Sequence, residues 1–333
     1  MRKSLRAAAL LALATMLSVP ANAADKVIFS LNWVPYGLHY GVYAAEAQGY
    51  YTKAGLDVDI QRGYGSGDTV KRVATGAANV GMADMASIII GRGNGLAVKQ
   101  VATVLDRSAD AIFYVKGIGI EKPQDLAGKS LGAAAGETPL NLFPVFASNA
   151  KLDASAVRVV NVAPPAKFPT LVSKKVDAIV ALLTEEPAIQ SAAQKAGVEI
   201  GKFVYSDYGV DYYSIGLIAS DEMLNTKGDV VRKFADATMR GYQWAIANPE
   251  AAAEAFSKRF PESSKELTLP QWKVTMQHML TDYSKANGLG MLDRVKMQKT
   301  LDLIKQYQQG KADIVVDDIY SSKFLDKIAV GAK

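Results

Sequence analysis

Asn32-Trp33-Val34-Pro35-Tyr36 places an amide, an indole and a phenol within five residues. The segment follows the β-branched run Lys26-Val27-Ile28-Phe29-Ser30-Leu31, so it falls where a strand gives way to a loop. There the two aromatic rings offer flat walls for a planar guest, and Asn32 supplies both a donor and an acceptor. The same rings would also serve as a cap on a hydrophobic core, and the spacing alone leaves both readings open. His39 is a further candidate, or else a helix cap or packed ring.

Other segments place polar groups at comparable positions. Gly63-Tyr64-Gly65-Ser66-Gly67-Asp68 leads into a helical pattern, with Ser66 expected as N-cap and the backbone N–H groups of Ser66 and Gly67 exposed to an anion or a polar ring edge. It lacks the Gly-Lys-Ser/Thr ending of a phosphate loop and the third glycine of a dinucleotide fingerprint. Asp84 follows a short strand and is either a ligand carboxylate or a helix cap. Gly136-Glu137-Thr138-Pro139 lies between a strand and a helix start, suited to closing amides and a hydroxyl on a guest. Glu185 and Glu186 follow another strand, where a buried carboxylate would accept hydrogen bonds from a nitrogen heterocycle and favour its protonated form. Adjacent acids on a surface turn are the plainer reading. Of Tyr208, Tyr212 and Tyr213 at least one is expected to line the cleft, with Tyr212 a candidate, and which one does so stays open. Arg107 would matter only for an anion.

The elements that must position these groups alternate. Strand and helix patterns give a β-α-β-α-β unit up to Leu105 and a second such unit from about Val115, each expected to carry a largely parallel sheet. Beyond Ala219 the pattern is mostly helical. This order fits a two-lobed α/β fold. The first lobe takes 24–113 and 217–333 and the second 114–216, with crossings near Phe113-Tyr114 and Ser214-Ile215. Two sequential domains are the alternative.

Residues 1–23 read as a secretory signal: Arg2, Lys3 and Arg6 precede the apolar run Ala7 to Val19, and Ala21-Asn22-Ala23 suits cleavage after Ala23. The run is thinner than the roughly 20 residues that span a bilayer. Removing it takes 38 basic residues to 35 against 33 acidic ones, leaving a net charge near +2. So mild a balance gives no footprint for nucleic acid. With no cysteine and only His39 and His278, thiolate and multi-histidine metal sites are excluded, and no catalytic residue or cofactor is expected.

The run Leu31-Asn32-Trp33-Val34-Pro35 with His39, Gly41 and Tyr43 resembles the opening of the periplasmic binding proteins for thiamine-pyrimidine precursors, sulfonates and nitrate. The likeness continues in Gly65-Ser66-Gly67-Asp68, Ala77-Ala78-Asn79-Val80-Gly81-Met82-Ala83-Asp84, Leu126-Ala127-Gly128-Lys129 and Val176-Asp177-Ala178, and covers nearly the whole chain after the signal. It implies a type II periplasmic binding protein fold with the ligand cleft at the hinge. It also implies a monomer in the periplasm and a partner ABC importer permease in the inner membrane. The spacing around Asn32 favours a pyrimidine precursor as ligand, with a sulfonate, nitrate or other small aromatic solute as the alternative. Many relatives carry one Glu followed by Gly where this chain has Glu185 and Glu186, so which carboxylate faces inward stays open. Fungal pyrimidine synthases share the fold but carry a cysteine-rich motif, which this chain lacks.

Overall fold

The computed structural model describes residues 23–306 and 313–331. The signal reading falls on a segment that, but for Ala23, lies outside them. The described residues include ten strands: β1 Asp25–Ser30, β2 Leu56–Gln61, β3 Val80–Asp84, β4 Val98–Thr103, β5 Asp110–Val115, β6 Ser130–Ala133, β7 Arg158–Asn161, β8 Ala178–Leu182, β9 Ile200–Val204 and β10 Ile215–Ser220. They form two five-stranded sheets, ordered β2-β1-β3-β10-β4 and β7-β6-β8-β5-β9. Each sheet is the centre of an α/β lobe.

The two sheets follow one plan. β1 runs parallel to β2 and β3, as β6 does to β7 and β8. The fourth strand of each order is antiparallel to both neighbours: β10 between β3 and β4, and β5 between β8 and β9. The sheets are therefore mixed, where the helix-strand rhythm led to an expectation of largely parallel ones. The cause is that β5 and β10 are the strands that follow the two crossings between lobes. β3, β5 and β8 are buried along their whole length, as central strands covered on both faces must be.

β5 belongs wholly to the second sheet, so the division expected near Phe113-Tyr114 falls inside a strand. The chain passes from the first sheet to the second between Thr103 and Asp110 and returns between Val204 and Ile215. The two crossings run side by side. The N–H groups of Val104 and Leu105 both donate to the Ile215 carbonyl, at 2.7 and 2.9 Å, and Ser214 N–H donates to Leu105 O at 3.2 Å.

The C-terminal helices complete the first lobe. Gly228–Ala247 packs on Tyr40–Ala47 so closely that a Cβ on Gly241 would lie 2.1 Å from the Gly41 carbonyl oxygen. Without side chains at that crossing, the helices bring Tyr242 and Leu38 together, and the Tyr242 hydroxyl donates to Leu38 O at 3.0 Å. The helix Lys265–Met279 adds Gln271, whose side-chain oxygen accepts Gly37 N–H at 3.1 Å. These bonds fix the backbone just beyond the Trp33 loop. Among the described residues no helix is long and apolar enough to cross a membrane.

Candidate binding site between the lobes

β1 ends at Ser30, and the next residues are held by the glycine loop that follows β2. Gly63 N–H donates to Trp33 O at 3.0 Å and Gly65 N–H to Asn32 O at 2.9 Å. A Cβ on Gly63 would sit 2.1 Å from Leu31 O, and Gly65 has φ +128°, so both positions need glycine. The loop thus presents Asn32, Trp33 and Tyr36 to a narrow cavity. Gly65, Ser66 and Ile215 complete the first-lobe wall, and Glu137, Thr138, Pro139, Leu182 and Glu185 form the opposite one.

His39 does not line this cavity; it orients a residue that does. Its Nδ1 accepts Tyr36 N–H at 3.2 Å, which places the ring proton on Nε2. That proton is donated to Asn32 Oδ1, 3.0 Å away, leaving the Asn32 NH2 as the donor group. Burial drives the imidazole down to about 3, so it stays neutral.

Across the cavity the two carboxylates share one ammonium. Glu137 Oε2 accepts Ala134 N–H at 2.9 Å, while its Oε1 accepts from Lys167 Nζ. Glu185 Oε2 accepts Leu182 N–H at 3.1 Å and lies 3.7 Å from the same Nζ. Lys167 is fully buried, with Nζ 4.8 Å from the centre of the Trp33 ring. Burial pulls its ammonium down, but Glu137 and Glu185 outweigh that and hold it above the ordinary lysine range. Burial raises the Glu137 carboxyl, with Lys167 opposing.

Lys167 was not among the expected site residues. One signal was present: it opens the helix Lys167–Val172 directly after Pro164-Pro165-Ala166, and a cation is disfavoured at a helix N-terminus unless something holds it. Thr184 was missed as well. Its hydroxyl is hydrogen-bonded to that of Tyr36 at 2.8 Å, a bond between the lobes.

The remaining candidates are placed elsewhere. Glu186 points away from the cavity, with both its oxygens 2.7 Å from Lys202 Nζ. Ser66 is the first residue of its helix and Gly65 the N-cap, correcting the expected cap; Ser66 Oγ accepts Asp84 N–H at 3.1 Å. Gly67 N–H donates to Gly136 O at 3.3 Å, and the Ser87 and Thr138 hydroxyls approach to 3.4 Å, both pairs linking the lobes beside the cavity. Arg107 instead donates to Gln277 O at 3.0 Å, and Tyr213 OH accepts Asp293 N–H at 2.8 Å.

Asp84 and Tyr212 meet behind the cavity, at the crossings. Asp84 caps the helix Met85–Gly93 by accepting Ala86 N–H at 2.8 Å, and also accepts from Ser214 Oγ at 2.8 Å. The Tyr212 hydroxyl lies 2.5 Å from Asp110 Oδ2 and 3.2 Å from Asp84 Oδ2. It has one proton for two carboxyl groups, in a fully buried setting. Burial pushes Asp110 up to about 7, and burial and then Asp110 push Asp84 well above the usual carboxylate range. Among the described residues no group of three or more His, Asp or Glu is placed to hold a metal ion.

With this geometry in view, the chain resembles known proteins over most of its length. It is 25% identical to the formylaminopyrimidine-binding protein of Halalkalibacterium halodurans, covering 90% of this chain and 91% of that one. It is also 25% identical to the 4-amino-5-hydroxymethyl-2-methylpyrimidine phosphate synthase THI11 of Saccharomyces cerevisiae, covering 80% and 82%. Among solved structures, the ligand-binding component of an ABC-type import system from Staphylococcus aureus superposes with a TM-score of 0.68 at 13% identity, covering 90% of this chain and 97% of that one. That likeness carries the two-lobed periplasmic binding protein fold. Residues 37–252 match the model of the NMT1/THI5-like family, and the chain belongs to that family.

Proposed function

We propose that this protein is the solute-binding component of an ABC importer and that it closes its two lobes in the periplasm on a planar aminopyrimidine. The observation that carries this reading is the pairing of Trp33 on one lobe with Glu185 on the other across a single cavity. Trp33 and Tyr36 give stacking area, the Asn32 NH2 donates to a ring nitrogen, and the carboxylate wall accepts from an exocyclic amine. The formylaminopyrimidine-binding relative supports the same ligand class. Two carboxyls against one ammonium disfavour a sulfonate or nitrate.

The synthase relative raises an enzymatic alternative. A chain without cysteine has no thiolate with which to hold a metal, and Lys167 and backbone N–H groups already engage Glu137 and one oxygen of Glu185. The binding reading is therefore preferred. In it the crossings at 104–109 and 205–214 act as the hinge, and bonds such as Tyr36 to Thr184 form on closure. A ligand that touches both lobes shifts the population towards the closed form. The N-terminal signal delivers the protein to the periplasm, where it works as a monomer and passes its solute to a permease.

Native mass spectrometry of the protein purified without denaturation tests the reading. A co-purified aminopyrimidine is expected; a bound aliphatic sulfonate would overturn the ligand class while leaving the fold in place.

A further inference from the structure

Taking the aminopyrimidine reading as given, we infer that Lys167 is a specificity-determining residue that fixes the ligand's charge, so that the solute is bound as a monocation. Two carboxyls and one ammonium sum to a single negative charge when all three are ionised. Lys167 binds Glu137 directly and stands farther from Glu185, at 3.7 Å, so the unmatched charge rests on the Glu185 side. Glu185 Oε2 accepts Leu182 N–H, whereas its Oε1 has no donor among the described residues, and the residue lines the cavity. A carboxylate oxygen with no donor from the protein is open to one from a guest.

Among the described residues that line the cavity, no other cation balances that charge. His39 faces Asn32 from the first lobe and is held neutral by burial. Tyr36 and Tyr205 are phenols pushed well above their ordinary range by burial, hence also neutral. Asp110, behind Glu137 at the crossings, can only add negative charge. An aminopyrimidine protonated on a ring nitrogen brings one positive charge, N–H donors for Glu185 Oε1 and a flat face for Trp33. Above the ligand's own pKa, the cation must then be formed at the expense of a proton from solution.

The test is calorimetric titration of the full chain in two buffers of different ionisation enthalpy, about one pH unit above the probe's pKa. The probes are 4-amino-5-hydroxymethyl-2-methylpyrimidine and its ring-N-methylated, permanently charged analogue. The expected result is uptake of close to one extra proton with the first probe relative to the second, and an affinity for the first that falls about tenfold per pH unit. Comparing the probes cancels any proton taken up by Asp110. Glu185→Gln should abolish the extra uptake, Lys167→Arg should keep it, and Lys167→Met should increase the preference for the permanent cation. Tight binding of the aminopyrimidine with no extra proton uptake would overturn the inference and spare the proposed function. Failure of wild-type protein to bind either probe would overturn both.

Discussion

Lys167 of the second lobe rests with its Nζ 4.8 Å from the centre of the Trp33 ring of the first, so the aromatic wall and the acidic wall of the cavity meet through one ammonium. The ammonium over the indole and the carboxylate pair behind it link the two walls electrostatically. The contact also ties the two lobes together at the ligand position.

Trp33→Ala should weaken binding of an aromatic solute by about 1–3 kcal/mol, the range for loss of one stacking partner. Calorimetric titration measures it, with the melting temperature checked in parallel because Trp33 is also buried. Unchanged affinity would remove Trp33 from the site.

Tyr36→Phe removes the hydroxyl that meets Thr184 across the lobes at 2.8 Å. The closed form should lose roughly 0.5–1.5 kcal/mol. Small-angle scattering of the ligand-free variant should show a larger radius of gyration than wild type, and saturating ligand should restore the wild-type value.

His39 should remain a neutral Nε2–H imidazole from pH 5 to 8, since burial holds it down at about 3. Nitrogen-15 chemical shifts of the ring report this directly. His39→Ala should destabilise the fold by about 1–3 kcal/mol, because it leaves Tyr36 N–H without its buried acceptor.

The crossings carry their own pH signature. Asp110 is pushed up to about 7 by burial, against roughly 3.9 in an unfolded chain. Between those values the folded protein holds more protons than the unfolded chain, so stability falls as the pH rises from about 4 to 7 and is level above that. Asp110→Asn should flatten this slope and raise the melting temperature at pH 8 relative to wild type. Asp106, also raised by burial to about 6, is present in both proteins, so their difference reports Asp110 together with Asp84, which Asp110 pushes up. Parallel melting curves across pH would contradict the assignment.

Much of this arrangement was legible in local sequence. The strand before Asn32 and the glycine loop after β2 follow from β-branched runs and turn residues, and those two features place Trp33 and Ser66 on one wall. Long-range pairing was not legible. Glu185 and Glu186 are equivalent as letters. Only the turn Leu183–Glu185, which carries the first carboxylate back to Leu182 N–H, and the position of Lys202 beside the second, separate them. Lys167 lies 30 residues from its partner Glu137, so no periodicity links them. The membership of β5 in the second sheet was hidden for the same reason, since a buried apolar run reads alike in either sheet.

The central claim is that the cavity between Trp33 and Glu185 takes a planar aminopyrimidine. Competitive titration of the purified chain with 4-amino-5-hydroxymethyl-2-methylpyrimidine and with a short alkanesulfonate tests it most directly. The account predicts saturable one-to-one binding of the pyrimidine, weakened by Trp33→Ala and by Glu185→Gln, with no displacement by the sulfonate. Tight binding of the sulfonate and none of the pyrimidine would contradict it.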